Sequence, residues 1–144
     1  NQLQSLNLGN NEVFDYSFLK DLKQLHDLNL KENQISDVSD LKDLKQLLSL
    51  NLDSNQISDV SVVKDLPKLM TLNLSSNQIS DISAVENLPK LISLDLSNNQ
   101  ITNLKPLFPL IQKGLSFSIK KSRGQIKLYN NPVDIPKDFV FKAN

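Results

Sequence analysis

The stretch "LNLDSNQISDV", Leu50 to Val60, returns with small changes as "LNLSSNQISDI" from Leu72, "LNLKENQISDV" from Leu28 and "LDLSNNQITNL" from Leu94. Asn11, Asn33, Asn55, Asn77 and Asn99 stand 22 residues apart. The same step relates Leu3, Leu25, Leu47, Leu69 and Leu91, and likewise the columns that begin at Leu6 and Leu8. A fixed period of this length means stacked units, each unable to bury its apolar side alone. Within a unit, Leu28 and Leu30 alternate around Asn29 as in a strand. Behind them Ile35, Val38, Leu41 and Leu44 are three residues apart, a spacing that suits a 3₁₀-like or irregular arm better than an α-helix. The pattern predicts short parallel strands near residues 5–8, 27–30, 49–52, 71–74 and 93–96.

The repeated asparagine follows the strand, where the chain turns and its backbone groups point inward. Leaving those groups unpaired would be costly. A carboxamide supplies two donors and an acceptor, so one side chain bonds both sides of the bend. Asn11, Asn33, Asn55, Asn77 and Asn99 are therefore read as a structural ladder. Aspartate would be a poor replacement, since it lacks the donor.

The unit LxxLxLxxNQISD resembles the leucine-rich repeat, in the 22-residue subclass of internalins and phosphatase-regulator-type repeats, over residues 3 to about 112. Many internalin-like repeats carry proline where this chain has Asp40, Val62 and Ala84, and only Pro106 conforms. The resemblance implies a bacterial protein and an α/β-type solenoid. It would be a curved right-handed stack, with a parallel β-sheet on the concave face and short 3₁₀ or irregular arms on the convex face. It also implies protein binding on the concave side.

On that reading the side chains between the strand leucines face outward. They form four rows: Ser5, Asp27, Ser49, Thr71, Ser93; Asn7, Asn29, Asn51, Asn73, Asp95; Gly9, Lys31, Asp53, Ser75, Ser97; and Asn10, Glu32, Ser54, Ser76, Asn98. Candidate protein-binding residues are Asp27, Asn29, Lys31, Asn51, Asp53, Thr71, Asn73, Ser93 and Asp95. The outward asparagines are expected to matter little for stability. None of these rows holds an aromatic residue, the usual anchor of a tight interface. A separate column, Gln4, His26, Leu48, Met70 and Ile92, is apolar in its last three members. It is either partly covered by the preceding turn or a docking stripe.

The rhythm breaks near residue 113. Leu115, Phe117 and Ile119 alternate, then Ile126 and Leu128, with Asn131 where a ladder asparagine would fall. These strands are either a hairpin turning at Ser122–Arg123–Gly124 or a degenerate sixth repeat. The expected division is five repeats over 1–112, a C-terminal cap over 113–131 and an extended exit segment over 132–144 leading to another domain of a parent protein. In that segment Val133, Ile135, Phe139 and Val140 would pack back. The N-terminus opens inside the pattern, as in a fragment or a processed chain.

Charge and composition narrow the function. The chain of 144 residues has no net charge, but residues 1–112 hold nine lysines against fourteen acids and the remainder is basic. "KKSRG" is too short and lacks interleaved aromatics, so no nucleic acid is expected as partner. Cysteine is absent, which excludes disulfides and thiolate chemistry. Asp37, Asp59 and Asp81 recur, but each rung supplies one carboxylate with no converging ligand, so neither a metal nor a cofactor is expected. Each of these aspartates can instead accept backbone N–H groups at a turn. The single histidine, His26, has Ser5 and Asp27 near it on an open surface with nothing to exclude water, and no enzyme is expected. No segment is long enough to span a membrane.

The expected function is a protein-binding or regulatory scaffold, a monomeric module whose partner is another protein or another domain of the parent chain. The alternatives are a surface-exposed internalin-like adhesin or virulence module, and the non-catalytic recognition domain of a larger GTPase or other effector. The compartment stays open, with the cytoplasm slightly favoured over the cell surface or secretion.

Overall fold

Leucines that recur every 22 residues stack directly on one another. The structure, a computed structural model, describes residues 2–120 and 124–134. Five three-residue strands, β1 (Ser5–Asn7), β2 (Asp27–Asn29), β3 (Ser49–Asn51), β4 (Thr71–Asn73) and β5 (Ser93–Asp95), pair parallel in sequence order. Leu6, Leu28, Leu50, Leu72 and Leu94 are register partners across them. Each strand is one residue shorter than the pattern predicts. The sheet lines the concave face of a curved right-handed solenoid, and the arms form its convex face.

The arms are 3₁₀ helices, at Ser17–Asp21, Ser39–Asp43, Ser61–Asp65, Ser83–Val85 and Lys105–Leu107. The three-residue apolar step explains them. Leu41 N–H donates to Val38 O (3.1 Å), Leu44 N–H to Leu41 O (3.0 Å) and Leu47 N–H to Leu44 O (3.2 Å). Every side chain in that series is fully or almost fully buried. Three residues per turn keep all of them on one face, toward the sheet. The core is therefore a set of aliphatic columns running the length of the stack, from Leu19 and Leu25 to Ile126 and Leu128.

The ladder asparagines join consecutive rungs. Asn55 Nδ2 donates to Leu30 O and Leu52 O, both at 3.0 Å, while its Oδ1 accepts from Ile35 N–H at 3.1 Å. One side chain thus serves its own turn and the backbone of the preceding unit. Asn33, Asn77 and Asn99 repeat the arrangement. Asn11 does not, because no described rung precedes it. It is exposed, and its Nδ2 donates to Gly9 O alone among the described residues. Immediately before the ladder residue, Asn10, Glu32, Ser54, Ser76 and Asn98 all have φ between 54° and 59°. Each such left-handed residue costs about 1 kcal/mol or more. The next rung offsets this by accepting its N–H, as Asp53 O does from Glu32 at 2.8 Å.

The C-terminal strands do not form a hairpin. Strand β6 (Phe117–Ser118) and strand β7 (Ile126–Lys127) pair parallel, and β7 lies between β5 and β6. Ile126 is the register partner of Leu94, so β7 is the sixth rung. Asn131 completes its ladder, with Nδ2 donating to Leu96 O (2.8 Å) and Leu128 O (3.1 Å) and Oδ1 accepting from Ile101 N–H (3.1 Å). Asn99 and Asn131 are 32 residues apart rather than 22. The extra length holds helix α1 (Phe108–Gln112), which buries Leu110 and ends at Gly114 with φ 99°, and then β6. Strand β6 comes close at Gly124, where a Cβ would make a tight contact 3.2 Å from Ser118. Asp134 N–H donates to Thr102 O at 3.0 Å, and Val133 packs on the core. Ser122 and Arg123 of the expected turn lie outside the described residues, as does the expected exit segment from 135 onward, with Ile135, Phe139 and Val140.

Asn55→Ala leaves the buried Ile35 N–H unpaired and removes one of the two carboxamide donors at Leu30 O and at Leu52 O, and urea denaturation should show a loss of about 1–3 kcal/mol. A loss below that of Asn11→Ala would contradict the ladder. A chain ending at Ile111 loses Ile126, Leu128 and Asn131. In thermal melts and light scattering it should melt lower and aggregate, whereas a chain ending at Asp134 should behave as the full chain does.

Candidate protein-interaction face

The register of β1 to β5 gathers all nine candidate residues on one open face. Asp27 and Thr71 are exposed, while Asn29, Lys31, Asn51, Asp53, Asn73, Ser93 and Asp95 are half-buried beside their neighbours.

The outward asparagines have a structural task that their exposure hides. The Oδ1 atoms of Asn29, Asn51 and Asn73 accept from the N–H of Lys31, Asp53 and Ser75, all at 3.0 Å. Asn7 and Asp95 do the same for Gly9 and Ser97. These are Asx turns that bend the chain out of each strand. The expectation that this row matters little for stability did not count these bonds. Since Oδ1 faces the backbone, Nδ2 of each of Asn29, Asn51 and Asn73 is left as a donor with no bond among the described residues. Asp53 is held across two rungs: Ser75 Oγ lies 2.7 Å from its Oδ1 and Ser54 Oγ 3.1 Å.

Rung six adds residues that the sequence reading left out. By register Gln125, Lys127 and Tyr129 extend the first three rows, and all three are exposed. Tyr129, 39% exposed, is the aromatic residue the five regular rungs lack on this face. Lys127 is the register partner of Asp95. The signal was Asn131 three residues after Leu128, obscured by the longer final unit.

On the opposite side a second ladder fixes the arms. Ser39, Ser61 and Ser83 donate N–H to Oδ1 of Asp37, Asp59 and Asp81, all at 2.9 Å, and Ser17 does so to Asp15 at 3.2 Å. The serine N–H foremost, then its hydroxyl, holds each carboxyl below the ordinary aspartate value of 3.8. In the fifth arm Asn103 takes the same place, accepting from Lys105 N–H at 3.0 Å. Each carboxylate is thus a turn cap, and among the described residues no cluster of His, Asp or Glu is placed to hold a metal ion. Burial, then the charges of Asp37 and Asp40, raises the Tyr16 phenol well above its usual value. No described helix is long and apolar enough to cross a membrane.

A family model described as leucine-rich repeats (two copies) matches residues 23–68, 45–87 and 67–109. A comparison with curated proteins gives no match. Among solved structures, an internalin from Listeria monocytogenes is 36% identical with a TM-score of 0.81, covering 91% of this chain and 36% of that one. Internalin C2 from the same organism is 38% identical with a TM-score of 0.74, covering 75% of this chain and 48% of that one. A leucine-rich repeat protein from Leptospira interrogans is 30% identical with a TM-score of 0.77, covering 92% and 32%. The chain therefore spans less than half the length of each of these neighbours.

The depressed aspartate values have a consequence for stability. A carboxyl whose folded pKa lies below its unfolded one stabilises the fold above the unfolded value and loses that contribution as pH falls through the folded one. The melting temperature should hold from pH 7 to about 5 and fall below about pH 4. Replacing Asp37, Asp59 and Asp81 together by Asn, the residue at 103, should leave the neutral-pH melt nearly unchanged and flatten the acid limb. An unflattened limb would place the acid sensitivity elsewhere.

Proposed function

We propose that this chain, which belongs to the leucine-rich repeat family, is a protein-binding scaffold that seats its partner on the concave rows from Asp27 to Tyr129. One observation carries this reading: six strands in continuous register present their outward side chains on one open face. Such a face adds contacts rung by rung, and its fixed turns lower the ordering cost of binding. Tyr129 and Lys127 supply an anchor at one end, and Asp27, Glu32 and Asp53 supply negative charge toward the other. The partner is another protein or another domain of the parent chain.

The likeness to a Listeria internalin over 91% of the chain favours a second reading, in which the same face belongs to a surface-exposed adhesin or virulence module. The two readings differ in the partner's source and share the binding face.

A photocrosslinking amino acid placed at Asn51 or Tyr129 of the parent protein, in its own cells, should give discrete protein adducts. One placed at Lys42 on the convex arm should not. Lys127→Ala with Tyr129→Ala should lower the yield from position 51 at least fivefold. Adducts from position 42 alone would move the binding face to the arms.

A further inference from the structure

The turn into each strand leaves one side chain that the concave rows do not use. On the first two rungs it is Gln4 and His26, and on the next three Leu48, Met70 and Ile92. Leu48 N–H donates to His26 O and Met70 N–H to Leu48 O, both at 2.8 Å, and Ile92 N–H donates to Met70 O at 2.9 Å. The same bond, repeated from His26 to Ile92, holds the three apolar residues in register, about 4.8 Å apart. The column is covered in part at Leu48 and open at Met70 and Ile92. Leu48 is half-buried, Met70 is 39% exposed and Ile92 47% exposed. By register the column ends at Gly124.

Donors border this stripe on both sides. The turns leading into the strands carry Lys45, Lys68 and Lys90. Lys45 Nζ donates to Asp65 O at 2.9 Å and Lys68 Nζ to Gln46 Oε1 at 2.6 Å, both neutral acceptors. Toward the concave face lie the hydroxyls of Ser49, Thr71 and Ser93, and then the Nδ2 groups of Asn51 and Asn73. A partner that fits has an apolar ridge with negative charge beside it.

Spacing selects the partner's secondary structure. Two rung steps cover about 9.6 Å, and two turns of α-helix about 10.8 Å. A helix laid across the strands meets each of the three residues with one side chain per turn, roughly 1 Å out of step at the third. An extended segment presents one face every two residues, and by the third rung it is roughly 4 Å out of step. We propose that Leu48, Met70 and Ile92 dock an amphipathic α-helix of a partner protein, with aliphatic residues along its ridge and Asp or Glu on its flanks. This rests on the protein-binding reading above, but on side chains outside the concave rows, so either can fail alone.

Met70 is the only methionine in the chain, so its ¹³C-labelled methyl is a single-site NMR reporter. The probes are three synthetic peptides. One is helical, with Leu at i, i+4, i+7 and i+11 and Glu on the flanks. The second carries Lys on the flanks, and the third is the Glu peptide with a central Pro that prevents the helix. Added to the intact chain, the Glu peptide should shift the Met70 methyl saturably and bind at least tenfold more tightly than the other two. Leu48→Gln and Ile92→Gln each place on the stripe the residue type of Gln4, which the fold already holds at this position, and should weaken binding at least fivefold. A methyl unmoved by excess peptide overturns the proposal, as does equal affinity for the Lys peptide or the Pro peptide. So does a methyl shift that grows with protein concentration alone, which would assign the stripe to a second copy.

Discussion

Everything in this solenoid depends on how a buried turn is satisfied once per rung. The chain leaves each strand through a left-handed residue, and the carbonyls around that bend point inward. A single carboxamide answers them. Asn55 links Leu52 O of its own rung to Leu30 O and Ile35 N–H of the rung before. Among the described residues no buried side-chain nitrogen or oxygen lacks a partner. The aliphatic columns supply most of the driving force for stacking, but they do not set register. Leucine on leucine tolerates sliding, whereas the ladder bonds exist at one offset only.

How much of this could be read from the residues follows from what repeats. The parallel strands, the ladder and the slim arms were legible because Leu28, Asn33 and Ile35 recur at a constant interval, and constant interval means constant geometry. The carboxylates at Asp37, Asp59 and Asp81 were legible as turn acceptors for the same reason. The second use of asparagine was not. Asn51 lies in an outward row, and only coordinates distinguish an Oδ1 turned back on Asp53 N–H from one facing solvent. The sixth rung was ambiguous because its strand, Ile126–Lys127, follows an inserted helix and β6, and periodicity carries no information about which strand pairs with which. Lys127 and Tyr129 stayed outside the candidate site with it.

The same geometry shapes the chemistry of the concave face. Side chains that look free there are half-committed. Asn29, Asn51 and Asn73 offer only their NH₂ groups, and Asp53 is restrained by Ser75 and Ser54. The face is therefore a fixed array in which rungs two to four each contribute one oriented carboxamide NH₂. At its far end Tyr129 and Lys127 provide bulk and charge that the regular units lack.

The final unit carries a lesson about insertions. Its ladder residue, Asn131, bonds Leu96 across 35 positions of sequence, where Asn99 bonds Leu74 across 25, with distances of 2.8 and 2.9 Å. Ten further residues have been accommodated without disturbing the bond that closes the loop. For a flexible segment, lengthening from 22 to 32 residues adds only ~0.3 kcal/mol of closure entropy. That is less than the net worth of one hydrogen bond. Rungs of this kind can thus acquire material between strands at almost no cost in loop closure, provided the asparagine and the aliphatic pair before it return in step. The spacing from ladder residue to strand is constrained tightly, and the length of the outward excursion hardly at all, so new elements such as α1 and β6 can enter such a chain through its excursions.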